Sequence, residues 1–239
     1  MGEREMEHLA EPPDLSGVLA ANPYPGRGVL CACCGDGSVA AGYFVTGRSE
    51  ASREREIRLT DGGELAVAAR GDAGFDPLRH YIAATASPDW LVFGNGAQVS
   101  TVAGRLARGD GPAPALDGLE HEPDGPIYTD RITAVMRRPQ GNLAVIGAAR
   151  RSTVSAARSD IVTMTVRDLH PGRGVLLTTY HSDGQTIIGG QPFVAVRISA
   201  ANGAELLDEL WSGLNPDYRV AAMVLPVTEE VAGALIRNA

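Results

Sequence analysis

The sequence predicts an α+β fold in which antiparallel sheets are covered by helices. Apolar, strand-like runs follow one another across short Gly/Asp turns, and only two segments carry a clear helical spacing. Helices do not alternate with strands as a doubly wound parallel sheet requires.

The elements follow in order. Residues 27–34 form a short apolar run, Gly35-Asp36-Gly37-Ser38 is a strong turn signal, and residues 39–46 resume the run, which predicts a β-hairpin. Thr60-Asp61-Gly62-Gly63 separates 57–59 from 64–69 and predicts a second hairpin. Residues 77–86 suit either a short helix or a strand, and 90–93 read as a strand that stops at Gly94-Asn95-Gly96. From 99 to 108, Val99, Val102, Ala103 and Leu106 share one helical face, and Gly109 ends the helix. A loop rich in Gly and Pro fills 109–126. Strands are predicted at 132–136, 142–149, 161–166, 174–179 and 194–198, a helix at 204–212 with Leu206, Leu207 and Leu210 inward, and a last strand at 219–227. The hexapeptide Pro-Gly-Arg-Gly-Val-Leu occurs at 25–30 and again at 171–176, each copy leading into a strand. A glycine-permitted strand start explains the identity at least as well as a duplicated unit does.

Composition removes several function classes. All 21 basic residues are arginine, so a lysine Schiff base and the GxxxxGK[ST] phosphate loop are both excluded. The guanidiniums that remain suit bidentate binding of phosphate or carboxylate. With 29 acidic residues the formal net charge is −8, which argues against a nucleic-acid or anionic-membrane surface; an anionic partner must be small and held locally. The five histidines have no paired ligand spacing, and no calcium-loop, G-x-S-x-G, G-x-G-x-x-G or H-E-x-x-H pattern is present. No metal is expected.

No apolar run approaches the roughly 18–20 residues of a membrane span. The first residues are charged and proline-bearing without an apolar core, unlike a secretory signal, and Met6 stands where a myristoylation site has Ser or Thr. A cytoplasmic protein is expected. Cys31, Cys33 and Cys34 lie inside an apolar run, which suits a reducing compartment. Their spacing matches no zinc site, and a strand sends Cys34 to the face opposite Cys31 and Cys33. They read as small buried hydrophobes, with a reactive thiol as the alternative.

Polar segments mark where chemistry can lie. In Thr46-Gly47-Arg48-Ser49-Glu50-Ala51-Ser52-Arg53-Glu54-Arg55, two arginines, a glycine and two serines follow a strand and suit a phosphate dianion; solvated surface is the alternative. Tyr81 follows a turn, and a lone tyrosine serves packing as readily as catalysis. Asn95 and Gln98 place two amides at a glycine-flanked strand end, where turn chemistry alone also explains the Asn and glycines. The segment 121–131 sets acids before Arg131.

Taken in order, these segments resemble one family. Asn22-Pro-Tyr-Pro-Gly-Arg-Gly28, Gly42-Tyr-Phe-Val-Thr-Gly-Arg-Ser-Glu-Ala-Ser-Arg53, Asp76-Pro77 with Tyr81, Asn95-Gly96 with Gln98, Glu122 through Tyr128-Thr129 to Arg131-Ile132, and Thr178-Thr179-Tyr180 with Asp183-Gly184 are similar to the archaeal-type inosine monophosphate (IMP) cyclohydrolases and their bacterial relatives. The resemblance spans residues 22 to about 230, with residues 1–20 as an N-terminal extension and 21–239 as a single domain. It implies a four-layer αββα, NTN-hydrolase-like fold without a self-processed N-terminal nucleophile. It also implies the last step of purine synthesis, in which 5-formamidoimidazole-4-carboxamide ribotide closes to IMP with loss of water.

That reaction needs a frozen rotamer, charge stabilisation on the formyl oxygen and modest proton transfer, with no cofactor. By the resemblance, Tyr81, Glu122 and Arg48 are the catalytic residues. Arg27, Arg48, Ser49, Arg53, Asn95, Gln98, Tyr128 and Arg131 bind a small purine nucleotide; a homo-oligomer is left open. The chain departs from the family pattern at Val99-Ser100, where a Thr-Asp pair is common, at Asp130, where Pro is common, and at Ile187-Ile188-Gly189-Gly190, which replaces a more polar loop. These departures keep open a paralogue acting on a modified purine-like nucleotide, and a nucleotide-binding protein without catalysis. The cysteines leave a cysteine amidohydrolase as a weaker rival.

Overall fold

The computed structural model describes residues 11–71, 80–155 and 157–239. Helix α1 (Leu15–Ala20) precedes a hairpin of β1 (Arg27–Cys33) and β2 (Val39–Thr46). A short α2 (Glu50–Arg53) leads into β3 (Arg55–Leu59), β4 (Leu65–Ala69), β5 (Tyr81–Ala86) and β6 (Trp90–Gly94). After α3 (Gln98–Ala107) come β7 (Arg131–Arg137), β8 (Leu143–Arg151), β9 (Ser159–Arg167) and β10 (Arg173–Thr178). The small strands β11 (His181–Ser182), β12 (Ile187–Ile188) and β13 (Val194–Arg197) precede α4 (Gly203–Gly213), β14 (Arg219–Pro226) and β15 (Leu235–Asn238).

Few helices accompany mostly antiparallel sheets, as the α+β reading expects. One sheet has the order β13-β10-β1-β2-β14-β15; the other runs β3 to β9 in chain order; β11 and β12 pair alone. Central strands bury both faces. In β1, Val29 and Cys31 join an apolar cluster shared by the two sheets, while Leu30 and Ala32 join one completed by Leu15 and Leu19 of α1 and Leu206 and Leu210 of α4. In the other sheet, Phe93, Ile132 and Ile146 face the shared cluster, whereas Val92, Val135 and Val145 meet Val99, Val102 and Leu106 of α3. Two-sided burial is why 27–33 reads as an unbroken apolar run rather than an alternating one. Each fully buried Leu or Phe contributes about 1.5–3 kcal/mol.

Several elements differ from the sequence reading. Asp76-Pro77 and the start of the ambiguous 77–86 segment lie outside the described residues, and 81–86 is strand. Helix α1 lies within the N-terminal 20 residues, yet Leu15 and Leu19 are fully covered. Within the polar run 46–55, for which the sequence predicts no element beyond Thr46, Ser49 Oγ accepts from the Ser52 amide at 3.2 Å, starting α2, and Arg55 opens β3. The two hexapeptides feed adjacent antiparallel strands, and Gly26 and Gly172 hold the same left-handed backbone (φ 73° and 76°), which glycine adopts without strain. Local need therefore accounts for the repeat. Cys31 lies in the inter-sheet cluster and Cys34 on the helix side, and burial pushes all three thiols up, away from a reactive thiolate. Among the described residues, no helix is long and apolar enough to cross a membrane, and no cluster of three or more His, Cys, Asp or Glu is arranged to hold a metal ion.

Candidate active site

The strand and helix ends converge on Glu122. Its carboxylate accepts from Arg27 Nη2 of β1 at 2.5 Å, with the side chains only 4% and 11% exposed. Burial pushes the Glu122 carboxyl above its ordinary range, while Arg27 pulls it back by charge and hydrogen bond. Burial also works against the Arg27 cation, yet Glu122 and the neighbouring tyrosines hold its proton more firmly than water does. The pair is an ionic contact that neither partner can lose cheaply.

Asn95 meets the same Glu122 oxygen as Arg27 does. Its Nδ2 donates to the Asp130 carbonyl at 2.9 Å and to Glu122 Oε1 at 3.3 Å, while its Oδ1 accepts from the Ile132 amide at 2.8 Å and from Gln98 Nε2 at 3.0 Å. Because the Ile132 amide can only donate, the orientation of both side-chain amides follows from this network. Gln98 Oε1 is consequently left buried with no hydrogen-bond partner, as are Arg27 Nε and Arg131 Nε. Unmet buried donors and acceptors of this kind suit a ligand. Gly96 keeps the space open: a Cβ there would lie 2.6 Å from Gln98 Oε1 and 3.7 Å from Arg131 Nε.

A tyrosine group adjoins the pair. The hydroxyls of Tyr43 (β2) and Tyr81 (β5) are 2.7 Å apart, joining the two sheets across the inter-sheet cluster. Burial pushes Tyr43 well above its ordinary value. Tyr180 bonds Thr129 Oγ1 and stacks on Tyr24 with ring centroids 6.0 Å apart; burial pushes it up to about 12. Arg55 is buried at the start of β3, and Tyr81, Arg27, Tyr43 and Tyr24 all act on its charge.

Arg48, Ser49 and Arg53 are exposed. Arg48 Nη1 donates to the Gly184 and Gln185 carbonyls, both at 3.2 Å, and its guanidinium lies 5.8 Å from the Tyr24 ring. Arg53 donates to the Arg48 carbonyl at 3.3 Å, and Ser49 is occupied in capping α2. Tyr128 has a left-handed backbone (φ 52°) and stacks beneath Arg151 at 4.0 Å, edge-on to His121. Arg131 Nη1 reaches the Glu120 carbonyl at 3.4 Å. Asp130 is buried against Arg150 Nε at 3.1 Å and accepts from the Gly190 amide at 3.1 Å; burial pushes its carboxyl up to about 6 despite Arg150.

A cavity of about 520 Å³ lies on the α3 side of β4 and β5, lined by Arg58, Val67, His80, Tyr81, Ala97 and Ser100 among others. It touches the group above only through Tyr81. Its lining is mainly apolar, so the Glu122 network rather than this cavity carries the polar chemistry.

The family described as IMP cyclohydrolase-like protein matches the chain over residues 24–230. The chain belongs to the IMP cyclohydrolase-like family. No curated protein matches it. Membership supports a cyclohydrolase-type enzyme. Of the sequence-predicted residues of this IMP cyclohydrolase-like chain, Arg27, Asn95, Gln98 and Glu122 are joined by direct bonds, Arg131 borders them at Gly96, and Tyr81 adjoins through Arg27's electrostatic field. Arg48, Ser49 and Arg53 form a separate exposed group, one aromatic ring from Tyr180. Sequence reasoning missed Tyr43 and Arg55. Tyr43 lies in an apolar strand that packing alone explains, and Arg55 ends a run that reads as solvated surface.

Proposed function

We propose that the protein closes 5-formamidoimidazole-4-carboxamide ribotide to IMP with loss of water. The observation that carries this reading is the buried Arg27–Glu122 contact held against Asn95 and Gln98, in a chain of the IMP cyclohydrolase-like family. The carboxamide nitrogen attacks the formyl carbon and gives up one proton as the formyl oxygen becomes a hydroxyl; that hydroxyl takes a second proton and leaves as water, and loss of the formamido N–H proton forms the ring C=N bond. Glu122 and Tyr81 move these protons. Burial raises the Glu122 carboxyl, which makes it a better proton acceptor than an ordinary carboxylate.

Asn95, Gln98 and Arg131 hold the reacting amide edge: the free Gln98 Oε1 accepts N–H, and Arg131 Nε donates to a carbonyl. Arg27 orients Glu122 and meets the nucleotide. At the rim, Arg48, Ser49 and Arg53 receive the phosphate, Arg48 adds charge toward the reaction, and Tyr128 borders the ligand. These groups freeze one rotamer and supply charge where the formyl oxygen becomes anionic.

The stacking of α1 and α4, two sheets and α3 over three apolar clusters supports an NTN-hydrolase-like αββα arrangement. We read 21–239 as one cytoplasmic domain that needs no cofactor. Mixing the protein with the ribotide and following IMP by absorbance tests the reaction; no turnover above that of Arg48→Ala and Tyr81→Phe variants contradicts it.

Asp130 favours a second reading, a paralogue acting on a modified purine-like nucleotide. Where proline is common in the family, Asp130 binds Arg150 and the Gly190 amide and so sets the path of the 187–191 segment. Thermal-shift measurements with IMP and modified nucleotides separate the readings: stabilisation by IMP-like ligands alone removes the second.

A further inference from the structure

Among the described residues, Arg55 is a cation without an anion. It is 4% exposed, and its bonds go only to carbonyls: Nε donates to Ser52 at 2.9 Å and Nη2 to Thr46 at 3.1 Å. Among the described residues no carboxylate pairs with it. The charges around it do not balance. Glu122 is engaged by Arg27 at 2.5 Å; Arg131 and Asp124, which also act on Glu122, offset one another; and Asp130 pairs with Arg150. Among the described residues one positive charge is left over, that of Arg55, on which Tyr81 and Tyr43 also act.

Guanidinium does not shed its proton in proteins, so it cannot escape burial by neutralising as a lysine can. A buried, unpaired charge is strongly destabilising unless something compensates it. The two carbonyl bonds compensate in part and pin both ends of the 46–52 segment. They leave the net charge in place, and Arg27 Nε, close enough for its own charge to act on Arg55, is a second buried donor without a partner.

We propose that Arg27 and Arg55 together form an inner anion subsite that receives a negatively charged oxygen borne on carbon at the reacting end of the ligand. This is separate from the phosphate, which the exposed Arg48 and Arg53 meet at the rim. The subsite rests on the reading of the protein as a ribotide cyclohydrolase. It deepens that reading by naming where the charge that develops on the formyl oxygen is held. Preorganised positive charge in a water-poor site acts on charge that appears during reaction more strongly than on a neutral ground state.

Two probes with the same phosphate, ribose and 4-carboxamide isolate the subsite: the ribotide whose 5-formamido group is replaced by 5-oxalylamino, with a carboxylate at the formyl end, and its neutral 5-oxamoylamino counterpart. Calorimetric titration of the wild type is expected to show the carboxylate binding about ten- to a hundred-fold more tightly, the range of a hydrogen bond made to a charged group. Arg55→Gln removes that preference, and Arg55→Lys keeps part of it. Equal affinity of the two ribotides for the wild type, or no binding of either, overturns the proposal without any variant being needed. A preference that survives in Arg55→Gln, or loss of both ribotides in equal proportion, also overturns it, the latter because Arg55 then only pins the 46–52 segment. IMP formation is read separately, so absence of turnover with the carboxylate preference intact removes the reaction and leaves the subsite.

Discussion

The hydroxyls of Tyr43 and Tyr81, 38 positions apart, lie 2.7 Å from each other in a contact that bridges the two sheets. Each strand contributes one polar atom to an otherwise apolar interface, and each hydroxyl satisfies the other. Neither has a second hydrogen-bond partner among the described residues.

Tyr81→Phe or Tyr43→Phe alone strands the other hydroxyl and should destabilise the protein by about 1–3 kcal/mol, while the double variant recovers much of the loss. Urea unfolding of all four proteins measures this as a coupling energy. Activity should behave differently: Tyr81→Phe and the double variant both lose it. Additive stabilities refute the pairing, and an active double variant removes Tyr81 from the chemistry.

Asp130 gives a pH signature. Its carboxyl titrates near 3.8 when unfolded and at about 6 in the fold, raised by burial. A raised folded value means that the stabilising contribution is fully present below about pH 4 and lost as pH rises through 6, amounting to about 3 kcal/mol. The unfolding free energy of the wild type relative to Asp130→Asn should fall by that order between pH 4 and 7. A flat difference across this range contradicts the burial argument.

Gly96→Ala places a Cβ 2.6 Å from Gln98 Oε1. The Gln98 amide must move, which disturbs the Asn95 bond and with it one contact to Glu122. Catalytic efficiency should fall at least about ten-fold, and stability by about 1–3 kcal/mol, the range for overpacking. Steady-state kinetics beside thermal unfolding check this, and unchanged kinetics would show that the notch faces no ligand.

Much of the architecture was legible because its determinants are local. Gly35-Asp36-Gly37-Ser38 announces the β1–β2 turn, and the spacing of Val99, Val102 and Leu106 announces α3, since each signal needs only its neighbours in the chain. Helix α1 escaped because six residues with two buried leucines are too few to show a period, and β11 and β12 because two-residue strands have none. The site divides the same way. Glu122 stood out only through family resemblance, since its partner Arg27 lies 95 positions away. Arg55 reads as surface because Glu54 and Glu56 flank it; its burial depends on how β3 packs beside Tyr43 and Tyr81, which no local pattern encodes.

Arg48 should matter more to ligand than to fold. Its two carbonyl bonds hold the turn between β11 and β12 from an exposed position. Arg48→Ala should change stability by no more than about 0.5 kcal/mol. Amide exchange at 183–186 should quicken, and affinity for IMP should drop, as exchange mass spectrometry and titration can show. A large loss of stability contradicts this rim placement.

The central claim is that Glu122, held by Arg27 and Asn95, moves protons in ring closure. The most direct measurement is the rate of IMP formation from 5-formamidoimidazole-4-carboxamide ribotide by the wild type and by Glu122→Gln, with circular dichroism confirming that both are folded. The account predicts steady conversion by the wild type and a loss of about a hundred-fold or more in kcat for the variant, the scale of general acid–base catalysis. Wild-type protein that forms no IMP, or a folded Glu122→Gln variant as fast as the wild type, contradicts it.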